Sequence, residues 1–159
     1  MYDLTPFVDV VRQLVVDHAV EPGAYRRWTR QAADGGRSLE VNPYGCADAA
    51  NICYTIGDFP AAADARAAWI ATLQQLQDGD SGMFVEATHD PIHTTAHCIA
   101  ALELFDARPS HALTALQPLT DAAAMEKFLD GLDWRQNPWD QSHRGAGLYA
   151  ALALTDSVD

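Results

Sequence analysis

Three stretches of the sequence superimpose without gaps and decide the fold: ADAANICYTIG at residues 47–57, AHCIAALELFD at 96–106 and AGLYAALALTD at 146–156. Successive stretches are offset by 49 and 50 residues. Each stretch is rich in small residues, which favour helices that pack closely together. The segments that precede the last two also correspond, because residues 73–77 align with residues 129–133. A period near 50 residues with two helices per unit predicts stacked helical hairpins.

The remaining helices are placed by composition and by turn-forming residues. Alanine, the best helix former, occupies 28 of the 159 positions, whereas long alternating runs of β-branched residues are missing. The spacing of apolar residues predicts helices at residues 7–19, 45–56, 60–77, 94–105, 121–132 and 144–155. We also expect a short helix and an exposed loop within residues 26–40, and a turn at residues 78–82.

The length of the chain fits one domain. Because the strand signals are weak and the helical repeat covers most of the chain, the fold class is predicted to be all-α. We therefore expect a single domain over residues 1–159, with about three helical hairpins at approximately 1–57, 58–107 and 108–159.

The composition argues against several classes of function. The 22 acidic and 10 basic residues give a formal net charge of −12, which disfavours binding to nucleic acid or to an anionic membrane. No apolar run approaches the ~20 residues of a membrane span, and the N-terminus lacks the basic flank of a signal peptide. Three cysteines are too few for a disulfide framework. We expect a cytoplasmic protein with reduced thiols.

Residues 69–84, WIATLQQLQDGDSGMF, contain an aromatic residue, a leucine, a glutamine, then glycine and a closing aromatic. This pattern resembles the QW-type repeat of the α/α-toroid superfamily, which includes terpenoid cyclases and protein prenyltransferase β-subunits. Similar hairpins build the six-hairpin glycosidases and related polysaccharide lyases and epimerases. The resemblance extends through the hairpin period from about residue 43 to residue 155. The aspartate-rich motif of the cyclases and the zinc-ligand trio of the prenyltransferases are not recognisable in this chain.

The resemblance implies a partial ring. Members of the superfamily close five to seven hairpins, so about three hairpins correspond to roughly half of a complete toroid. A half-ring exposes the apolar faces of its terminal hairpins, which a monomer rarely tolerates. We therefore expect the chain to self-associate so that the open ends are covered.

The alignment of the three stretches also predicts a site. The residues just before the three inner helices are Tyr44, His93 and His143. Equivalent positions of repeated hairpins lie at the same end of the bundle, and in toroids this end is the mouth of the central cavity. The sequence therefore predicts a polar cavity at the N-terminal ends of the inner helices, with these three side chains around it.

The side chains near this cavity favour acid–base chemistry. Five of the six histidines lie between His89 and His143, and histidine is the side chain best suited to proton exchange near neutral pH. We assign His93 and His143 as proton-transfer candidates, with Glu86 or Asp48 as their carboxylate partner. The alternative is that these histidines only cap helix ends and bridge loops through hydrogen bonds.

The remaining polar and aromatic residues predict a substrate class. We expect Tyr44, Arg144 and His89 to hold a polar ligand, and Trp139 and Trp134 to stack against sugar rings. Helix N-termini at the same place favour anionic groups such as those of uronic acids. Terpenoid pockets also use aromatic side chains, but these loops are rich in His, Asp, Asn and Arg, which favours a carbohydrate-like ligand.

Two further chemistries are weaker alternatives. His93 and His97 are four residues apart on a helix and so provide two ligands for zinc, but no third ligand is indicated. We therefore expect no cofactor. Cys46, Cys53 and Cys98 are expected to be small core residues, and the alternative is a nucleophilic thiolate at Cys46 or Cys98.

Together these patterns predict a carbohydrate-active enzyme of the hydrolase, lyase or epimerase type. Two other hypotheses stay open at this point. One is an enzyme similar to terpenoid cyclases or prenyltransferases, and the other is a non-catalytic helical-repeat module that binds a protein or another copy of the chain.

Overall fold

The computed structural model describes residues 2–30 and 37–155. Within these residues, seven helices account for 59% of the structure, which confirms the mostly helical prediction. They are α1 (Thr5–His18), α2 (Pro43–Ile56), α3 (Ala63–Gln75), α4 (Pro91–Glu103), a 3-10 helix (Thr114–Thr120), α5 (Ala122–Asp130) and α6 (Pro138–Leu154).

Helices α1, α2, α4 and α6 begin earlier than predicted, because a proline occupies the first turn of each. At α2 the Asn42 side chain accepts a hydrogen bond from the Gly45 amide at 3.0 Å. At α4 the Asp90 side chain accepts one from the Ile92 amide at 2.9 Å. Side-chain oxygens at the N-cap satisfy amides that have no partner within the helix, and proline tolerates the first position.

The earlier starts change the placement of the three aligned residues. Tyr44 is the second residue of α2, His93 the third residue of α4, and His143 the sixth residue of α6. The expectation that they precede the inner helices is therefore wrong, and each lies within the first two turns.

A small two-stranded sheet was not predicted. Strands β1 (Ala19–Glu21) and β2 (Ala24–Tyr25) pair antiparallel. Gly23 has a φ of +82° in the connecting turn, and a Cβ there would lie 2.7 Å from the backbone nitrogen of Trp69. Glycine is therefore required both by the turn and by the close approach to α3.

The short helix expected within residues 26–40 is wrong for the part that the structure describes. Arg26 forms an isolated antiparallel bridge with Val41, and none of residues 26–30 and 37–40 is helical. The backbone hydrogen bond from Asn42 to the Tyr25 carbonyl, at 2.9 Å, extends this pairing beyond the sheet. Residues 31–36 of the predicted segment lie outside the described residues.

Helix α4 packs between α2 and α6. The contacts Tyr44–His93 and Asp48–His97 both join residues 49 positions apart, so α2 and α4 run in the same direction. The 49-residue offset between the first two repeated stretches therefore equals the sequence separation of these contacting residues. Between α4 and α6 the backbones are close, because a Cβ at Gly147 would lie 3.2 Å from Cα of His93.

The core lies where these helices meet α3. Its largest fully buried side chains include Leu73, Phe84, Ile99, Leu102 and Leu148. Large aliphatic and aromatic groups of this kind supply most of the free energy that holds such a bundle together.

All three cysteines are free and buried, as expected for small core residues. Burial raises the pKa of Cys46 to about 11 and raises the pKa of Cys98 well above its usual value. Both thiols are therefore protonated at neutral pH, which argues against the nucleophilic alternative.

The predicted turn at residues 78–82 is present. Asp78 accepts hydrogen bonds from the amide and the hydroxyl of Ser81, at 2.8 and 2.6 Å, in the manner of an Asx turn. Among the described helices, none combines the length and the apolar character that a transmembrane segment needs.

Candidate functional site

The structure brings Tyr44, His93 and His143 together at the N-terminal ends of α2, α4 and α6. The Tyr44 hydroxyl lies 3.0 Å from Nε2 of His93. The rings of His93 and His143 stack at 4.3 Å between centroids, with an angle of 10° between their planes. Because the three side chains come from parallel helices with a regular offset, their contact follows from the packing of the helices.

Two further imidazoles complete this group. Tyr44 stacks on His89 with ring centroids 4.0 Å apart, and it lies 4.5 Å from the His97 ring. We call Tyr44, His89, His93, His97 and His143 the ring cluster. Its members are partly buried, so each ring has lost some of its hydration.

Glu86 fixes one side of the ring cluster. Its carboxylate is 3% exposed and lies 2.8 Å from Nδ1 of His89 and 3.3 Å from Nη1 of Arg27. The Thr88 hydroxyl donates to the same carboxylate at 2.9 Å. Arg27 in turn lies over the Tyr44 ring at 4.7 Å, within the range of a cation–π contact.

The ionisation of Glu86 follows from these contacts. Burial alone would raise its pKa, but hydrogen bonds from Thr88 and His89 and the charge of Arg27 together lower the pKa below its usual value. The carboxylate is therefore ionised at neutral pH. Nδ1 of His89 is also 2.6 Å from Nη1 of Arg27, so this nitrogen accepts from Arg27 when unprotonated and donates to Glu86 when protonated.

A second polar pair lies one helical turn further along. Nε2 of His97 is 2.9 Å from Oδ1 of Asp48, whose side chain is 47% exposed. Asp48 is thus the carboxylate partner of His97, and Glu86 is the carboxylate partner of His89. Neither of these two hydrogen bonds involves His93 or His143.

The surroundings raise the pKa of Tyr44 and lower the pKa of His93. Burial lowers the pKa of His93, and the neighbouring imidazoles of His143, His89 and His97 lower it further. Burial raises the pKa of Tyr44, and the charge of Asp48 adds to this effect. At neutral pH the pair therefore contains an uncharged imidazole, which accepts a proton, and a protonated phenol, which donates one.

The predicted ligand-binding residues are placed in different ways. Trp139 meets the edge of the His143 ring at 4.9 Å and is 72% exposed. Nε of Arg144 pairs with Asp90 at 3.2 Å. Trp134 lies near Gly145, where a Cβ would be 3.4 Å from Cη2 of the indole. Of these residues, Trp139 is thus brought into direct contact with the ring cluster.

Arg27 is a site residue that sequence analysis missed. It comes from the irregular segment after β2, where neither periodicity nor a motif marks it. The only available signal is its position in the Arg26-Arg27 pair, in a chain with ten basic residues.

The geometry gives no support to a zinc site. Within residues 2–30 and 37–155, no group of three or more His, Cys, Asp or Glu side chains is arranged to hold a metal ion. The His93 and His97 rings are nearly parallel, with centroids 6.4 Å apart. Their Nε2 atoms contact different partners, the Tyr44 hydroxyl for His93 and the Asp48 carboxylate for His97.

The site is a hydrogen-bonded phenol–imidazole pair with three further imidazoles around it. Two of those imidazoles, His89 and His97, are each hydrogen-bonded to a carboxylate. Fold alone does not determine activity, which depends on the chemistry of these side chains. The chain matches no protein-family model, no curated protein and no solved structure.

Proposed function

We propose that the ring cluster is the active site of an enzyme that moves protons on a polar, carbohydrate-like substrate. The reaction is proton abstraction from a carbon next to a carbonyl group, the first step of epimerase and lyase chemistry. The observation that carries the proposal is the 3.0 Å contact between the Tyr44 hydroxyl and Nε2 of His93. Paired groups whose pKa values are shifted apart are characteristic of acid–base sites.

Each member of the pair has one role. Nε2 of uncharged His93 accepts the proton of the substrate C–H bond, and the electrons of that bond form a C=C bond. The carbonyl oxygen takes up the displaced π electrons together with the proton of Tyr44, which gives an enol. The cycle closes when the enol proton returns to Tyr44 and the carbon takes a proton back, from His93 with retention or from a donor on the opposite face of the substrate with inversion. His143 is stacked on His93 at 4.3 Å, so it lies on the same side and relays protons between His93 and solvent.

Glycoside hydrolysis is less well supported. It requires a carboxylic acid that stays protonated to assist the leaving group. The pKa of Glu86 is lowered by its hydrogen bonds and by Arg27, despite its burial. Asp48 is bound to His97 and is half exposed. Proton abstraction by an imidazole and proton donation by a phenol instead match the ionisation states of His93 and Tyr44 at neutral pH.

The charges favour an uncharged sugar over a uronic acid. Arg27 is paired with Glu86, and Arg144 is paired with Asp90. The guanidinium groups closest to the ring cluster are therefore already neutralised by carboxylates. A substrate carboxylate would have to compete with these pairs, whereas hydroxyl groups can hydrogen-bond to both partners.

The test is solvent exchange in D2O, followed by NMR with a panel of reducing sugars. The wild type is expected to exchange the C–H proton next to the carbonyl of at least one sugar. Tyr44→Phe is expected to slow this exchange about a hundredfold or more. Tyr149→Phe is the matched control, because Tyr149 is 76% exposed on α6. Equal exchange rates in Tyr44→Phe and wild type would refute the proposal.

We also infer that α2, α4 and α6 are the inner helices of a partial α/α toroid. The packing of α4 between α2 and α6 supports this inference, as does the 49-residue separation of contacting residues. In a partial ring the terminal helices need a partner. Phe7 and Val10 of α1 are 66% and 59% exposed, which favours self-association through this end.

A further inference from the structure

An apolar groove of about 290 Å³ lies between α1 and α2. Val11, Leu14 and Val15 line it from α1, and Ile52 lines it from α2. Side chains of this type gain free energy when an apolar ligand removes them from water. The groove is thus suited to an aliphatic group of modest length.

The groove adjoins the ring cluster through two shared side chains. Arg27 and Asp48 line the groove. Arg27 also lies over Tyr44, and Asp48 also accepts the hydrogen bond of His97. A ligand that fills the groove therefore ends directly beside the proposed proton-transfer pair.

The wall of the groove also carries a hydrogen-bond donor. Arg26 lines the groove, and one nitrogen of its guanidinium donates to the Ala19 carbonyl at 3.0 Å, which fixes the side chain. A guanidinium has five N–H donors, so it can also bind an acceptor on a ligand.

We propose that this groove binds the apolar part of the substrate while the sugar part reacts at the ring cluster. The substrate class is then an acylated reducing sugar, in which an ester carbonyl supplies the acceptor for Arg26 and an aliphatic chain fills the groove. This inference rests on the proposed function, because it assigns the ligand of the same site.

The experiment compares glucose with 6-O-octanoylglucose below its critical micelle concentration. D2O exchange gives KM and kcat, and calorimetry gives Kd. The octanoyl ester is expected to bind wild type at least tenfold more tightly than glucose, with a lower KM and a similar kcat. Leu14→Gln is expected to abolish this preference. Val16→Gln is the matched control, because Val16 lies on the same helix, is 65% exposed and does not line the groove.

The outcomes separate the two proposals. If both sugars exchange with equal KM, the groove assignment is wrong and the proposed function stands. If neither sugar exchanges but the ester binds and Leu14→Gln weakens that binding, the proposed function is wrong and the groove assignment stands. Sedimentation of the same samples adds a third result: dissociation of a dimer by the ester would show that a second copy occupies the groove, which would overturn the acyl-chain assignment.

Discussion

Tyr44 illustrates how much a single residue contributes to the site. Its hydroxyl contacts His93, its ring stacks on His89, and Arg27 lies over the same ring. These contacts hold the phenol in one orientation. A residue restrained on so many sides needs little rearrangement when a substrate binds, which favours catalysis by preorganised groups.

His93 predicts a specific dependence of stability on pH. Its pKa lies below the usual 6.5 because burial and the neighbouring imidazoles disfavour the charged form. Between these two values the unfolded state binds more protons than the folded state, so stability falls as pH falls below about 6.5. Urea denaturation at pH 7.5 and 5.5 measures this loss, and His93→Gln is expected to reduce it. His111→Gln, at an exposed position, is expected to keep the loss seen in wild type, and an equal reduction of the loss in both variants would contradict the assignment.

Glu86 leads to a prediction about stability. Glu86→Gln removes the charge that compensates Arg27 at a site where the carboxylate is 3% exposed. Removing one partner of a buried, hydrogen-bonded charge destabilises the fold, and we expect the free energy of unfolding to fall by about 2 kcal/mol. Urea denaturation at neutral pH measures it.

The matched control for this prediction is Asp106→Asn. Asp106 also pairs with an arginine, Arg66, at 3.4 Å, but its side chain is 96% exposed. An exposed pair contributes little, so this variant is expected to unfold like wild type. Equal effects of the two substitutions would show that burial of Glu86 is unimportant.

At the level of the elements, helix caps connect stability with the site. Asn42 caps α2, and Tyr44 is the second residue of that helix. Asn42→Ala is expected to cost about 1 kcal/mol of stability and to slow proton exchange, because the first turn that carries Tyr44 loosens. Asn42→Asp keeps the acceptor and should retain both properties. Urea denaturation measures the stability, and D2O exchange measures the rate of proton exchange. An exchange rate in Asn42→Ala equal to that of wild type would show that the cap does not affect the proposed proton transfer.

The helices were largely predictable, whereas their ends were not. Apolar spacing marks where a helix packs, and α2, α4 and α6 were found from it. Their starts were placed too late because Pro43, Pro91 and Pro138 were not counted as first-turn residues. The sheet of β1 and β2 was missed because strands of three and two residues are too short to show alternation.

The site was predictable to the extent that it follows the repeat. Tyr44, His93 and His143 are equivalent positions of parallel helices, so a constant offset places them side by side. Arg27 lies on an irregular segment, and only the folded chain shows that it reaches Glu86. Periodic sequence thus predicts contacts between repeated helices and says little about the loops that join them.

At the level of the whole molecule, the exposed apolar side chains of α1 predict self-association. Phe7 and Val10 are among its most exposed hydrophobic residues. We expect the mass measured by sedimentation equilibrium to rise with concentration, and Phe7→Gln combined with Val10→Gln to give a monomer. Val85→Gln, at a position 57% exposed outside α1, serves as the control. A wild type that stays monomeric at high concentration would show that α1 has no partner copy.

The 49-residue separation of the Tyr44–His93 contact also has a kinetic consequence. Residues so distant along the chain meet only after most of the intervening segment has folded, because closing long loops costs entropy. During refolding, proton exchange should therefore recover later than helical circular dichroism. The proposed proton-exchange activity would then report the last stage of assembly, long after the individual helices have formed.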